Sequence, residues 1–498
     1  MRQLPWLTLL VFWPLVAALA MPLARGSANA CRRFALAAAL GELALALLVV
    51  VLFAGHTPDL PVLEDAAWIP SLGIRYTLSC DGLSLVFVML TAFIGVCCML
   101  ASRQDDAGRP ALYHALVLAS LGTVQGIFLA DDLFLFALFW EAQLIPVFFL
   151  IGIFGHGDRM RAALQFFLFS AVGGLLMFLA VIALGILSAE LPGGPSFALG
   201  TLTRLDLPIE TGRWLFAAFV LSFAIKVPLT PVHMWLPDAH TEAPTAGSLI
   251  LAGLLLKTGG YAMIRFALPL FPEAAQAFAP LLTALGLFGL FYASAVALAQ
   301  EDVKRLVAYS SIGHMGLAVA AIVSGSRLAL GGAVVMMVSH GLTSGGLFAL
   351  AGLVGERLGT RRFEALGGLW NKAPRFGAAF LLCVLASAAL PGLSGFVGEA
   401  MIVFGLFTVN VAAGLVAVAG MAVTLAYLLR LARDVLFGPA RSRTPFPDLD
   451  ARETALLCSL ALAILWLGLF PNPVLALVRA PLDRIAGHVW PAAAALGL

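Results

Sequence analysis

Long apolar runs, each ended by a charged or Gly/Pro-rich break, follow one another along nearly the whole of this 498-residue chain. A helix of about 20 apolar residues crosses the hydrocarbon core of a bilayer. In lipid no water pairs with the backbone, so a run that long must satisfy its own N–H and C=O groups, and a helix does so. Fourteen helices are expected, near residues 4–22, 34–54, 83–101, 112–129, 132–152, 161–188, 213–237, 244–266, 275–299, 303–323, 328–354, 375–408, 411–437 and 453–470. Composition agrees: 61% of residues are hydrophobic and 11% charged, against about 25% charged in an ordinary soluble domain. The expected fold class is all-α, integral and multi-pass, with the lipid bilayer as its first partner.

Residues 1–30 also fit a secretory leader, with Arg2, an apolar run from Leu4 to Ala20 and small residues up to Ala30. A retained first helix is expected instead, because it makes the number of spans even and puts both termini on one side. Loops after odd-numbered helices carry nineteen Lys and Arg, the opposite loops eight, and Lys226 and Lys257 lie within helices. The richer side is then cytoplasmic, and both termini face the periplasm of a bacterial inner membrane.

Two segments read as broken helices. Residues 213–237 hold Lys226-Val227-Pro228, Pro231 and Pro237; residues 375–408 hold Pro391-Gly392 and Gly395. Proline removes a backbone donor and clashes with the preceding turn, so a helix opens there. Interrupted helices at matching places in two halves point to an inverted-repeat transporter. The expected organisation is helices 1–3 (residues 1–111), a first five-helix repeat of helices 4–8 (112–266), a second of helices 9–13 (267–437) and a last segment (438–498). Helix 7 then matches helix 12.

Several chemistries find no support. A net charge of +2 and the lack of a basic run with interleaved aromatics argue against nucleic acid. The six cysteines show no iron–sulfur, haem or zinc spacing, and no phosphate-binding glycine loop is present. No cofactor and no quinone site are expected on this chain.

Seven ionisable residues lie deep within apolar stretches: Glu42, Glu141, Lys226, Lys257, His314, His340 and Glu399. A charge at that depth costs several kcal/mol unless paired or hydrated, so it marks an ion or proton path by default. Lys226 falls at the C-terminal end of the first half of helix 7, where free carbonyls favour a cation. Glu399 falls early in the second half of helix 12, where an N-terminus favours an anion. Glu141 is the natural partner for Lys226, and such a pair is a switch: together both charges are stabilised, apart the lysine tends to release a proton. Lys257 has no carboxylate nearby in sequence, and a lysine that can be neutral is a proton carrier. Ser310 and Ser344 sit one turn from His314 and His340, giving each helix a polar stripe. The order Lys257, His314, His340, Glu399 suggests a relay through successive helices. Tyr261 is expected to hydrogen-bond internal water, and Gly173 and Gly174 to serve close packing. Glu42 has no evident partner.

The segment Lys226-Val-Pro-Leu-Thr-Pro-Val-His-Met-Trp-Leu-Pro-Asp-Ala-His-Thr-Glu-Ala-Pro-Thr-Ala-Gly-Ser248 resembles the signature of the antiporter-like membrane subunits of proton-pumping NADH–quinone oxidoreductase, respiratory complex I. Phe139-Trp140-Glu141, Leu256-Lys257-Thr258, Lys304-Arg305-Leu306, His314-Met315-Gly316, Ser339-His340-Gly341-Leu342 and Gly395-Phe396-Val397-Gly398-Glu399 extend the likeness over about residues 80–440. L- and N-type subunits typically carry lysine where Glu399 stands, so the glutamate resembles the M type. The resemblance implies that Glu141 modulates Lys226, that Lys226 receives a cytoplasmic proton, that Lys257, His314 and His340 relay it, and that Glu399 holds it before exit. It implies L- and N-type neighbours, with NADH, FMN, iron–sulfur clusters and quinone on partner subunits. The competing expectation is a membrane subunit of a multisubunit cation/proton antiporter or of a membrane-bound hydrogenase.

Overall fold

The computed structural model describes residues 4–24, 27–54, 62–102 and 108–491. Arg2, Arg25 and Arg103, counted in the charge balance above, lie outside these residues. The helices that build the bundle are α1 (Trp6–Ala20), α2 (Ala28–Ala54), α3 (Gly82–Ala101), α4 (Pro110–Leu129), α5 (Leu133–Phe154) and α6 (Arg159–Leu187). There follow an interrupted α7 (α7a, Ile209–Lys226; α7b, Trp235–Glu242), α8 (Thr245–Leu270), α9 (Pro272–Ala299), α10 (Val303–Ile322) and α11 (Arg327–Leu358). A second interrupted helix, α12 (α12a, Pro374–Ser387; α12b, Ser394–Val409), precedes α13 (Val411–Leu436) and α14 (Ala451–Leu469). Among the described residues, twelve helices are continuous, long and apolar enough to cross a membrane; α7 and α12 are the interrupted pair.

The breaks fall where proline chemistry puts them. α7a stops at Lys226, and Pro228, which has no N–H to donate, opens the turns that lead to α7b. α12a stops at Ser387; Ala389 (φ 55°) and Gly392 (φ 89°) take left-handed conformations around Pro391. For alanine that conformation costs about 1–2 kcal/mol, so packing holds it in place.

Burial sorts the helices into shells. α8 and α11 are enclosed on every side. α6, by contrast, exposes Leu164, Leu168, Val172, Leu175 and Leu179 at helical spacing, and α13 exposes Val411, Leu415, Val418, Leu425 and Leu429. Exposed apolar stripes of this length are what a lipid-facing helix presents. Polar groups on α8 and α11 therefore have protein, not hydrocarbon, around them.

Two elements fall outside the fourteen expected helices. Between α2 and α3 the chain forms an antiparallel hairpin, β1 (Val62–Ile69) and β2 (Ile74–Cys80), with Glu64 opposite Leu78 and Asp65 opposite Thr77. Its signal was present in the alternation Ile74, Tyr76, Leu78, Cys80 against Arg75, Thr77, Ser79. Glu64 accepts from the amides of Leu7 (2.7 Å) and Thr8 (2.9 Å), so the hairpin caps the start of α1. The second element is α15 (Asn472–Val489), which buries Val474, Val478, Leu482, Ile485 and Val489 along one side. It packs on α3, α9 and α11, with the carbonyl of Leu477 seated against Gly82. Arg479, Asp483, Arg484 and His488 on its other side interrupt any continuous apolar run, so the apolar stretch seen in the sequence ends at residue 470. That reading also began the second helix at residue 34. It begins at Ala28, because Arg32 and Arg33 sit in its first turns instead of ending it.

Candidate functional site

Two polar centres lie inside the bundle. The first joins α5, α6 and α7a. Glu141 lies just before a turn at Gln143 in α5, where Pro146 lacks the N–H that would bond back to Ala142. Its carboxylate reaches α6 at Gly174: a Cβ there would stand 1.6 Å from Glu141 Oε1. Gly174 is thus the site of a side-chain approach, not only of helix packing. Lys226 is the last residue of α7a, in the helix turn whose carbonyls favour a cation. Its Nζ lies 5.3 Å from the Trp140 ring centre and 5.7 Å from that of Phe166.

The expected Glu141–Lys226 contact is open. Lys226 Nζ and Glu141 Oε1 are both enclosed without a hydrogen-bond partner, as are Trp140 Nε1, Ser170 Oγ and Ser222 Oγ around them. Glu141 is half-buried, less deep than its place in the sequence suggested. The aromatic faces of Trp140 and Phe166 take part of the role assigned to the carboxylate, since a ring face attracts an ammonium.

The second centre is a line of contacts through the enclosed helices. Two π-helical turns, Leu251–Leu255 and Met263–Ala267, flank the stretch of α8 that carries Lys257. Such turns displace backbone carbonyls from regular pairing, and Lys257 Nζ donates to the carbonyl of Ala252. The same Nζ lies 2.7 Å from His340 Nδ1 on α11. The His340 and His314 ring centres are 5.5 Å apart. His314 Nε2 on α10 lies 3.4 Å from Glu399 Oε1 on α12b and 3.1 Å from the carbonyl of Ser387, the last residue of α12a. Its Nδ1 faces the carbonyl of Ser310 at 2.8 Å. Both ring nitrogens of His314 therefore face oxygen atoms within reach of proton exchange.

This geometry changes two expectations. The spatial order is Lys257, His340, His314, Glu399, so the two histidines stand in the reverse of their sequence order. Glu399 is the sixth residue of α12b, beyond the first turn in which a helix terminus acts strongly; its partner is the His314 ring.

Other residues join the site without having been singled out. Tyr427 on α13 donates to Ser310 Oγ at 2.8 Å, and Ser310 Oγ lies 3.4 Å from His314 Nδ1. Nothing in a single apolar run distinguishes such a tyrosine from a packing residue. His240, on α7b, is fully buried and stacks on Phe348 with ring centres 4.3 Å apart, its two nitrogens without hydrogen-bond partners. A buried histidine on a helix that follows a break was a readable signal. Tyr261, expected to meet water, instead donates to the carbonyl of Phe128 (2.9 Å) and pairs with Ser84 Oγ (2.9 Å). Glu42 has a partner after all: Gln125 Nε2 on α4 donates to its Oε1 at 2.8 Å. It stands apart from the other six. Among the described residues no cluster of His, Cys, Asp and Glu is arranged to hold a metal ion.

A helical membrane bundle with two interrupted helices and a buried acid–base line belongs to the class of ion-translocating membrane proteins. Residues 130–424 match the family model described as NADH:quinone oxidoreductase/Mrp antiporter, transmembrane. NADH-quinone oxidoreductase subunit M of Pseudomonas aeruginosa is 43% identical over 437 residues, 86% of each chain. Subunit M of Escherichia coli is 41% identical over 421 residues, 82% of each chain. A chain of respiratory complex I from Thermus thermophilus with bound NADH superposes with a TM-score of 0.89 at 31% identity, covering 97% of this chain and 99% of that one. The chain belongs to the NADH:quinone oxidoreductase/Mrp antiporter family of transmembrane proteins.

Proposed function

We propose that this chain is the M-type subunit of a bacterial NADH–quinone oxidoreductase and translocates protons across the membrane, driven by quinone reduction elsewhere in the complex. The observation that carries the reading is the contact line Lys257–His340–His314–Glu399, whose first two members stand on the two helices enclosed on every side. An ammonium, two imidazoles and a carboxylate in sequence can trade a proton by small displacements, because in a low dielectric a shift of an ångström or two changes such interactions by several kcal/mol.

The roles follow the geometry. Lys226 and Glu141 form an open pair whose closure stabilises the lysine's charge and whose opening releases its proton inward. The enclosed polar atoms around them (Ser170, Ser222, Trp140) are the kind that buried water satisfies, and such water links Lys226 to Lys257. His240 lies on the cytoplasmic side of Lys257, and Glu399, paired to His314, holds the proton before its exit. The half-exposed face of Glu141 at mid-helix is a surface that a neighbouring L- or N-type membrane subunit covers. NADH, FMN, iron–sulfur clusters and quinone belong to partner subunits, and electrons do not pass through this chain. Both termini face the periplasm, and helices α4–α8 and α9–α13 form two inverted repeats. Glutamate rather than lysine at position 399 favours the M type over the L and N types and over the antiporter chains.

The test is the whole complex, purified with Glu141→Gln or Lys226→Ala in this chain and reconstituted in vesicles. Proton pumping coupled to NADH–quinone turnover is expected to fall about a hundredfold in each, the low end of what a positioned proton carrier contributes. Unchanged pumping in both variants overturns the reading. Sodium transport by the chain without the rest of the complex would move it to the antiporters.

A further inference from the structure

At the Lys/Arg-rich end of the bundle a cavity of about 370 Å³ opens between the starts of α8 and α10 and the end of α11, lined in part by Thr245, Asp302, Lys304, Glu356 and Arg361. Lys304 forms its inner wall. The residue is 2% exposed, and its Nζ donates to the carbonyl of Ala243 at 2.5 Å. Ala243 is the residue at which α7b ends. Lys304 is also the second residue of α10, whose first turn is capped by Asp302 Oδ1 at 2.8 Å from the Lys304 amide. The positive end of a helix disfavours a cation. The ammonium is thus held by a backbone carbonyl at the positive end of a helix, with the Glu242 carboxylate within electrostatic reach. An arginine in the same place would stay charged. Inward of this point, His240 is three residues before Ala243, enclosed, and within the electrostatic reach of both Lys304 and Lys257.

We infer that Lys304 is the proton carrier at the mouth of the relay. An N–H bond of the ammonium breaks as one forms, through intervening water, on an unprotonated ring nitrogen of His240; neither ring nitrogen is hydrogen-bonded to a protein group. The lysine is left neutral, and its lone pair takes the next proton supplied by the aqueous phase (as hydronium) through the cavity. No electrons move, and the charge that enters equals the charge passed inward. This inference rests on the proton-translocating reading above.

Lys304→Arg and Lys304→Gln, each in the whole complex reconstituted in vesicles, test it beside Glu141→Gln. Arginine keeps the charge and a donor for the Ala243 carbonyl, but a guanidinium releases its proton about a hundredfold less readily than an ammonium. Proton uptake from the Lys/Arg-rich side, followed with a pH dye during the first turnovers, is expected to slow about a hundredfold with arginine. The glutamine variant is expected to be as slow, although its subunit still co-purifies with the complex. Rescue by arginine, or normal uptake with glutamine, makes Lys304 a cap for α7b and overturns the inference. If Glu141→Gln also pumps normally, the relay reading has failed with it. If Glu141→Gln alone blocks pumping, only the role of Lys304 falls.

Discussion

Nζ of Lys257 lies 2.7 Å from Nδ1 of His340, although 83 residues separate them in the chain. The contact joins the two helices with no lipid face, so neither group has an alternative partner in solvent or headgroups. Lys257→Met keeps the length of the side chain and removes its proton. Replacing a buried charge by an apolar group of similar volume is often neutral for stability, so the subunit is expected to assemble normally while pumping falls about a hundredfold. Subunit content measured beside pumping in the same preparation separates the two effects; loss of assembly with residual coupled pumping would contradict the assignment.

Gly174 gives Glu141 its place against α6. A methyl group at Gly174 would stand 1.6 Å from Glu141 Oε1, whereas one at Gly173 would meet the terminal carbon of Ile225 at 2.8 Å. Gly174→Ala is therefore expected to displace the carboxylate and lower pumping towards the level of Glu141→Gln, at a stability cost of about 1–3 kcal/mol for overpacking. Gly173→Ala is the control for packing alone, since its methyl group would meet the Ile225 tip and the Ser222 Cα at 3.2 Å but not the carboxylate, and its pumping is expected to stay closer to that of the parent. Equal effects of the two changes would show that the carboxylate position is irrelevant.

At position 399 the sign of the charge matters. Glu399 Oε1 faces His314 Nε2 at 3.4 Å. Glu399→Lys would set a cation against that ring, with a repulsion of about 5 kcal/mol at an effective dielectric of 20. The His314 proton is then expelled, and pumping is expected to be lost, while Glu399→Gln retains a hydrogen-bonding partner and a fraction of the activity. Proton pumping of the two variants side by side decides this; full activity with lysine would mean that His314 and Glu399 do not share the proton.

The hairpin titrates independently of the relay. Hydrogen bonding from Arg75 holds the Asp65 carboxyl below the ordinary carboxylate range, burial opposes this weakly, and Thr77 adds a further hydrogen bond at 2.7 Å. A carboxyl whose value is depressed in the folded state stabilises it above the unfolded value, and that contribution is lost as pH falls through the folded value. Amide exchange of β1 and β2, corrected for intrinsic rate, is therefore expected to be flat from neutral pH down to about pH 4 and to lose protection below it. Asp65→Asn should abolish that acid limb. A hairpin that opens at the same pH in both forms would exclude Asp65 as the cause.

Much of this protein is legible along the chain because the rules involved are local. An apolar run of membrane length must be helical, since lipid offers its backbone no partner. Pro228 and Pro391 mark the two helices that open, since a proline ring removes a bond from the ladder, although Pro14 and Pro280 are accommodated within continuous helices. Ionisable residues within such runs stand out for the same reason, and Glu141, Lys226, Lys257, His314, His340 and Glu399 were all visible before any fold was known.

What the chain alone left open is which of them touch. Sequence order suggested His314 before His340, but α11 brings His340 to Lys257, and α10 carries His314 on to Glu399. The hairpin, the covering helix α15, and the parts played by Tyr427, Gly174 and Glu42's partner Gln125 were likewise decided only when helices far apart in sequence came together. A local rule fixes what a segment of chain becomes in lipid. Distances between segments depend on how the whole bundle packs, and a proton passes only where that packing brings a donor within reach of an acceptor.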